Sequence, residues 1–173
     1  TETEGAWAGN VHRVARLRAC TLANGVATAL ARGAYAITGG LGGLGLRAAA
    51  RLVESGATCV VLSSRSGRVV GDVQGDHKLS SLGMSSSVDV SSSDVGDAMD
   101  VVCLVRGWLL SGVLHAAGVL RDKMLRSMAA AGFAASFSPT ALGASHVQRS
   151  AACMPLEALG LFSSIAATFG TVG

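Results

Sequence analysis

Residues 34–67 read AYAITGGLGGLGLRAAARLVESGATCVVLSSRSG, and they constrain the fold more than any other part of the chain. A short apolar run at 34–38 breaks into a glycine-rich turn at 39–45. An Ala/Leu/Arg pattern with helical spacing then continues to Ser55, Gly56 marks a helix C-terminus, and a second apolar run follows at 59–62. Strand, turn, helix and strand in this order make a βαβ unit with its two strands parallel. Gly40, Gly42 and Gly45 fall at the G-x-G-x-x-G spacing. In that pattern one glycine makes the tight turn, one lets backbone approach a pyrophosphate, and one lets the helix pack on the strand. The unpaired N–H groups of the helix N-terminus supply the anion site. With 23 glycines in the chain, a tight structural turn without a ligand is the competing reading.

The second strand runs into Ser63-Ser64-Arg65-Ser66-Gly67. A site selective for NAD commonly ends this strand in a carboxylate that takes the ribose 2′-hydroxyl. Here Arg65 stands twenty positions beyond Gly45 and no acid is near. A guanidinium flanked by hydroxyls matches a 2′-phosphate, which it can grip through two parallel hydrogen bonds. The preference implied is NADPH, against the alternative of a surface arginine at a strand end.

At 173 residues, half of them hydrophobic and 14% charged, the chain has core-forming material for about one domain. A net charge of +3 carried by dispersed arginines excludes the clustered basic footprint of a nucleic-acid partner. Cys20, Cys59, Cys103 and Cys153 show no metal-ligand spacing, so no metal site is expected. They read as free buried thiols in a reducing intracellular compartment, cytoplasm or plastid, which leaves the localisation itself unknown. Residues 1–10 lack the basic and then apolar start of a signal peptide. The most membrane-like run, 101–120, contains Arg106, Gly107, Ser111 and His115, and reads as a helix end followed by a buried strand rather than a span.

Along the chain, residues 1–33 read as a linker or edge segment from a preceding structural subdomain, and 34–173 as an incomplete dinucleotide-binding domain. Residues 67–81 are expected as loop. A strand at 83–90 ends near Asp89, and Asp94 is placed as N-cap of a helix reaching about Arg106. Residues 110–115 form the next strand. Ala116-Ala117-Gly118 at its carboxyl end are small enough for a flat ring to pass, or simply for a tight turn. Helices are expected from about Asp122 and from Pro139. The last strand covers 159–162, with Ser163-Ser164 at its end. The fold class that follows is α/β, a Rossmann-type doubly wound parallel sheet, truncated before its last strands and helices.

With these residues laid out, the sequence resembles the short-chain dehydrogenase/reductase superfamily, and within it the ketoreductase domain of modular type I polyketide synthases. The matching pieces are Thr38-Gly39-Gly40-Leu41-Gly42-Gly43-Leu44-Gly45, Ser64-Arg65-Ser66-Gly67, Val88-Asp89-Val90, His115-Ala116-Ala117-Gly118-Val119-Leu120 and Phe162-Ser163-Ser164. The resemblance implies that the first piece, with Ser64, Arg65, Ser66, Asp89, Val90, Ala116, Ala117 and Gly118, binds NADPH. It implies reduction of a β-ketoacyl group held as a thioester on an acyl carrier protein, beside neighbouring synthase domains. Ser164 matches the serine that hydrogen-bonds the substrate carbonyl, a role suited to a donor aimed at oxygen gaining negative charge.

Two departures accompany the resemblance. The family's tyrosine proton donor falls about a dozen residues after the serine, and the only tyrosine here is Tyr35, on the first strand. The simplest expectation is a fragment cut inside the domain, lacking the general acid. The family lysine, which would lower that tyrosine's pKa, aligns with Thr140, and Lys123 is the other lysine nearby. A reductase-like module without turnover is therefore the alternative function. Leu120-Arg121-Asp122 resembles a degraded Leu-Asp-Asp loop that marks one stereochemical class of ketoreductase, with Leu120 and Asp122 its remaining substrate-loop residues. Phe169 stands where the opposite class carries tryptophan. For Asp122, helix capping competes with substrate steering.

Overall fold

The computed structural model of the chain describes residues 6–13, 32–69, 79–82, 87–121 and 125–164. Two compact units are formed, Thr1–Thr28 with Ser163–Gly173, and Ala29–Phe162. In the first, β1 (Ala6–Ala8) and β2 (Val11–Arg13) pair antiparallel, with Trp7 opposite His12. Gly9 takes the left-handed backbone (φ 62°) that the two-residue turn between them requires. Sequence reading placed a linker or edge segment here; the described part is a hairpin.

The second unit is a five-stranded parallel sheet. Its strands are β3 (Ala34–Thr38), β4 (Cys59–Ser64), β5 (Ser87–Ser92), β6 (Leu110–His115) and β7 (Ala158–Leu161), in the spatial order β5-β4-β3-β6-β7. The chain builds outward from β3 on one side and then returns to build outward on the other. This is the doubly wound order, and the point of reversal lies between β3 and β6. Val60, Val61, Leu62 and Ser63 of β4 are all buried, as expected of a strand covered on both faces.

Alternation along the strands divides the core in two. On one face Tyr35, Ile37, Val60 and Leu62 pack with Leu46, Ala49 and Leu52 of α1 (Gly43–Glu54). On the other, Ala36, Val61 and Val113 pack with Val101, Leu104 and Val105 of α2 (Ala98–Arg106), and with Val147 of α4 (Gly143–Ala151). Tyr35 is 1% exposed, and its ring occupies the space left by Gly112, where a side chain would collide with it.

Several expectations are corrected. The strand placed at 83–90 is β5 at Ser87–Ser92, so its carboxyl end lies at Ser92 and not near Asp89. Asp97, not Asp94, caps α2, accepting from the N–H groups of Met99 and Asp100. Asp94 instead accepts from Gly96 N–H at 2.9 Å and tightens the preceding turn. The helix expected from Asp122 is a short 3₁₀ turn, Leu125–Ser127, followed by α3 (Ala130–Phe137); Asp122, Lys123 and Met124 lie outside the described residues. Pro139 does not start a helix. It sits in a π turn, Ser138–Leu142, between α3 and α4. The wider turn passes the proline without a break, which a proline inside an α-helix ordinarily causes. Cys103 and Cys153 are exposed thiols rather than buried ones, whereas Cys59 is half-buried; Cys20 lies outside the described residues.

Candidate functional site

A cleft of about 660 Å³ opens at the carboxyl ends of the strands, at the point where the strand order reverses. One wall is the glycine turn after β3, contributing Gly39 and Gly42. Opposite it the segment after β6 contributes Ala116, Ala117, Gly118 and Val119. The remaining wall comes from Ser64, Arg65 and Ser66 after β4, with Ser93 and Val95 after β5 and Pro139 of the π turn.

Local sterics explain the turn. Gly39 has φ +67°, and a side chain there would fall 2.7 Å from the backbone of Ala117. A side chain on Gly45 would press within 2.5 Å of Gly39 O and Gly40 Cα. The glycines thus let α1 begin hard against the turn, and let the turn approach the β6 segment. Gly42 is the N-cap of α1. The first turn of the helix carries neither a side-chain cap nor an acidic residue, which leaves the positive end of the helix available to an anion.

Arg65 lies one residue past β4 and is exposed at the rim. Among the described residues its guanidinium pairs with no carboxylate, whereas Arg51 pairs with Glu54 at 3.2 Å. The turn that carries Arg65 is tied to β5. Ser92 Oγ donates to Arg65 O at 2.8 Å, and Ser93 N–H donates to Ser64 O at 3.0 Å. Ser66 Oγ is occupied within its own turn, accepting from Arg68 N–H and donating to Arg68 O.

Beneath the cleft the register pairs Thr38 with His115. Thr38 Oγ1 lies 2.7 Å from His115 Nδ1, and His115 Nε2 lies 3.2 Å from Thr140 O. A carbonyl only accepts, so Nε2 carries the proton and Thr38 O–H donates to Nδ1, which assigns the neutral tautomer. Burial pushes the His115 pKa below its ordinary value, against the raising effect of hydrogen bonds to backbone at Thr140 and Pro139. Thr140 Oγ1 donates to Ser136 O at 2.7 Å and to Phe137 O at 3.3 Å. A side chain on Gly118 would lie 3.6 Å from the Thr140 methyl, so Thr140 stands beside the β6 wall of the cleft.

The cleft brings together Gly39, Gly42, Ser64, Arg65, Ser66, Ala116, Ala117 and Gly118 of the residues expected from sequence. Thr38 is fully buried and engaged with His115, and Leu41 is core. Gly40 and Gly45 shape the turn from behind, while Gly43 and Leu44 are exposed on α1. Asp89 and Val90 are not at the cleft, because β5 continues beyond them to Ser92. The Asp89 carboxylate instead faces Cys59 Sγ at 3.7 Å and Ser87 Oγ at 3.4 Å. Burial first, and then Asp89, raises the Cys59 pKa and keeps that thiol protonated.

Sequence reasoning missed Ser93, Val95 and Pro139. For Val95 a signal was present: Asp-Val occurs at 89–90 and again at 94–95, and the strand end decides that Val95, not Val90, reaches the cleft. Leu120 is 88% exposed, and Asp122 and Phe169 lie outside the described residues. Ser164 follows β7 by three positions in sequence and belongs to the other compact unit. Among the described residues no cluster of three metal-ligating side chains occurs, and no helix is long and apolar enough to cross a membrane.

The strand order and the position of this cleft define an open α/β domain of nucleotide-binding architecture. Residues 33–173 match the family model described as KR domain, and the chain belongs to that family, the ketoreductase domains of polyketide synthases. It is 36% identical over 144 residues to a mycocerosic acid synthase-like polyketide synthase of Mycobacterium tuberculosis, covering 82% of this chain and 7% of that protein. Identity to a 6-methylsalicylic acid synthase of Arthrobotrys oligospora is 36% over 187 residues, covering 95% of this chain and 10% of that protein. Among solved structures it matches A-type ketoreductases from a modular polyketide synthase with 31% identity and a TM-score of 0.71, over 88% of this chain and 34% of that one. The chain therefore spans a tenth or less of the curated relatives' length.

Proposed function

We propose that the chain supplies the cofactor half of an NADPH-dependent ketoreductase acting on a β-ketoacyl thioester carried by an acyl carrier protein, within a larger synthase. The observation that carries this reading is the convergence, at the reversal of strand order, of the glycine turn, the uncapped start of α1, the unpaired Arg65 and the small β6 segment. These residues fit a dinucleotide. The α1 N-terminus would receive the pyrophosphate, Arg65 the 2′-phosphate, and Ala116–Gly118 a ring passing close to backbone. NADPH supplies a hydride to the ketone when bound.

The role of the chain is to hold the cofactor and to polarise the carbonyl. Ser164, by its match to the family serine, would donate a hydrogen bond to the carbonyl oxygen as it gains charge. Tyr35 does not serve as proton donor: it is buried in β3, and burial together with Glu157 raises its pKa. The exposed and half-buried free thiols fit a reducing compartment.

A second reading, a dinucleotide-binding module without turnover, is favoured by Thr140. Its hydroxyl is committed to backbone carbonyls, and it carries no charge with which to tune a proton donor. Loss of NADPH absorbance with a β-ketoacyl thioester separates the two. The reductase reading expects turnover by the whole synthase, increased by Thr140→Lys. Binding of NADPH without turnover in either form favours the module.

A further inference from the structure

Two cleft residues, Val95 between β5 and α2 and Pro139 in the π turn, come from segments far apart in sequence, yet those segments are packed together without slack. A side chain on Gly96 would collide with Ser138 Oγ, and one on Gly143 would lie 2.9 Å from Val95 Cγ2 and 3.1 Å from His115 Cε1. Apolar contact of this kind has no direction, so by itself it lets two segments slide past one another. Two imidazoles supply the direction. His115 reaches Thr140 O at 3.2 Å, and His146 Nδ1, on α4, lies 3.1 Å from Val95 O. A carbonyl only accepts, so His146 Nδ1 is the donor. The connection that carries Val95 is closed on itself through Gly96 N–H to the Asp94 carboxylate at 2.9 Å and Asp94 N–H to the Asp100 carboxylate at 2.8 Å. His146 ties that closed unit to α4, which continues directly from the π turn. The imidazole is half-buried and does not line the cleft.

We propose that His146 is a positioning residue for dinucleotide binding: without touching the ligand, it sets Val95 against the π turn and so fixes the width of the cleft. The inference rests on the dinucleotide reading of the cleft. A binding wall has to be held to about 0.5 Å for its contacts to survive, and a hydrogen bond weakens steeply away from its preferred length and angle. The donor on α4 therefore fixes a register that packing alone leaves loose. Val95 and Pro139 carry no group that reads a 2′-phosphate, so the effect falls equally on NADPH and NADH.

The test compares His146→Ala and His146→Leu, which remove the donor without and with its bulk, to His146→Asn, whose amide N–H can stand in the place of Nδ1–H. Each is made in the full chain. Binding is followed by nicotinamide fluorescence with NADPH and separately with NADH, and ligand-free stability by thermal melting. The alanine and leucine variants should lose about 3- to 10-fold in affinity for both dinucleotides with the ratio kept, the scale of one hydrogen bond. His146→Asn should restore both affinities to within about twofold. Val105→Ala, in the core at the far end of α2, is the control for lost stability: its melting temperature should fall with both affinities unchanged. Unchanged affinity in the alanine and leucine variants, no rescue by asparagine, a loss confined to one dinucleotide, or an equal loss in Val105→Ala would each overturn the role of His146. No binding by the unsubstituted chain would overturn the dinucleotide reading itself, and this inference with it.

Discussion

Single side chains, or their absence, decide whether the cleft exists. Gly39 joins two demands: a left-handed backbone and an approach of 2.7 Å, at the position of a side chain, to the Ala117 backbone. Neither can be relieved by a rotamer change, since both partners are main chain. Gly39→Ala is expected to cost about 2 kcal/mol or more in stability, from backbone strain and from moving the β6 segment. Denaturant unfolding of the variant measures it. Gly43→Ala is the control, since a side chain there meets nothing within 4 Å, and alanine in the first turn of a helix is tolerated. Equal loss in the two variants would contradict the account of the turn.

At the scale of elements, His115 links the ends of β3 and β6 to the π turn through Thr38 and the Thr140 carbonyl. Its pKa is lowered in the folded chain below the ordinary 6.5, chiefly by burial. The unfolded chain therefore binds a proton more readily, and the stabilising effect of the neutral imidazole is fully present above about pH 6.5 and lost as pH falls toward the folded value. Urea midpoints compared between pH 7.5 and pH 5.5 should fall, and His115→Gln should flatten the fall. Parallel curves for the two proteins would contradict this role.

The same scale shows what was legible in the sequence. β3, α1, β4 and β6 were read in their places because apolar runs bounded by glycine or by small residues leave one periodicity open. β5 and the caps around it were misplaced. Val88-Asp89-Val90 is flanked by three serines on each side, so local preference cannot fix a strand end; pairing with β4 from Cys59↔Ser87 to Ser64↔Ser92 does so instead. For that reason Asp89 was expected at the site, and Ser93 was not. Pro139 misled in a similar way. A proline ordinarily marks a helix start, and only the π turn allows helical chain on both sides of it.

Across the molecule the apolar surface is uneven. Leu159 and Leu161 of the edge strand β7 are exposed, as are Phe162 and the stacked pair Phe133 and Phe137 of α3, whose ring centres lie 5.5 Å apart. α3 has no buried residue, although nearly all of its side chains are apolar or small. An edge strand with outward leucines and an uncovered apolar helix both favour association. Light scattering should show concentration-dependent self-association of the chain, reduced by Leu161→Lys with Phe137→Lys. A monodisperse monomer at all concentrations would contradict that expectation.

The central claim joins the glycine turn to Arg65 in one site selective for a 2′-phosphate, and it is tested by titrating the chain with NADPH and with NADH in parallel calorimetric experiments, before and after Arg65→Ala. NADPH is predicted to bind about tenfold or more tightly than NADH, the scale of one charge-assisted contact, and the substitution to bring the two together. Equal affinities in the unsubstituted chain, or a preference that survives Arg65→Ala, would contradict it.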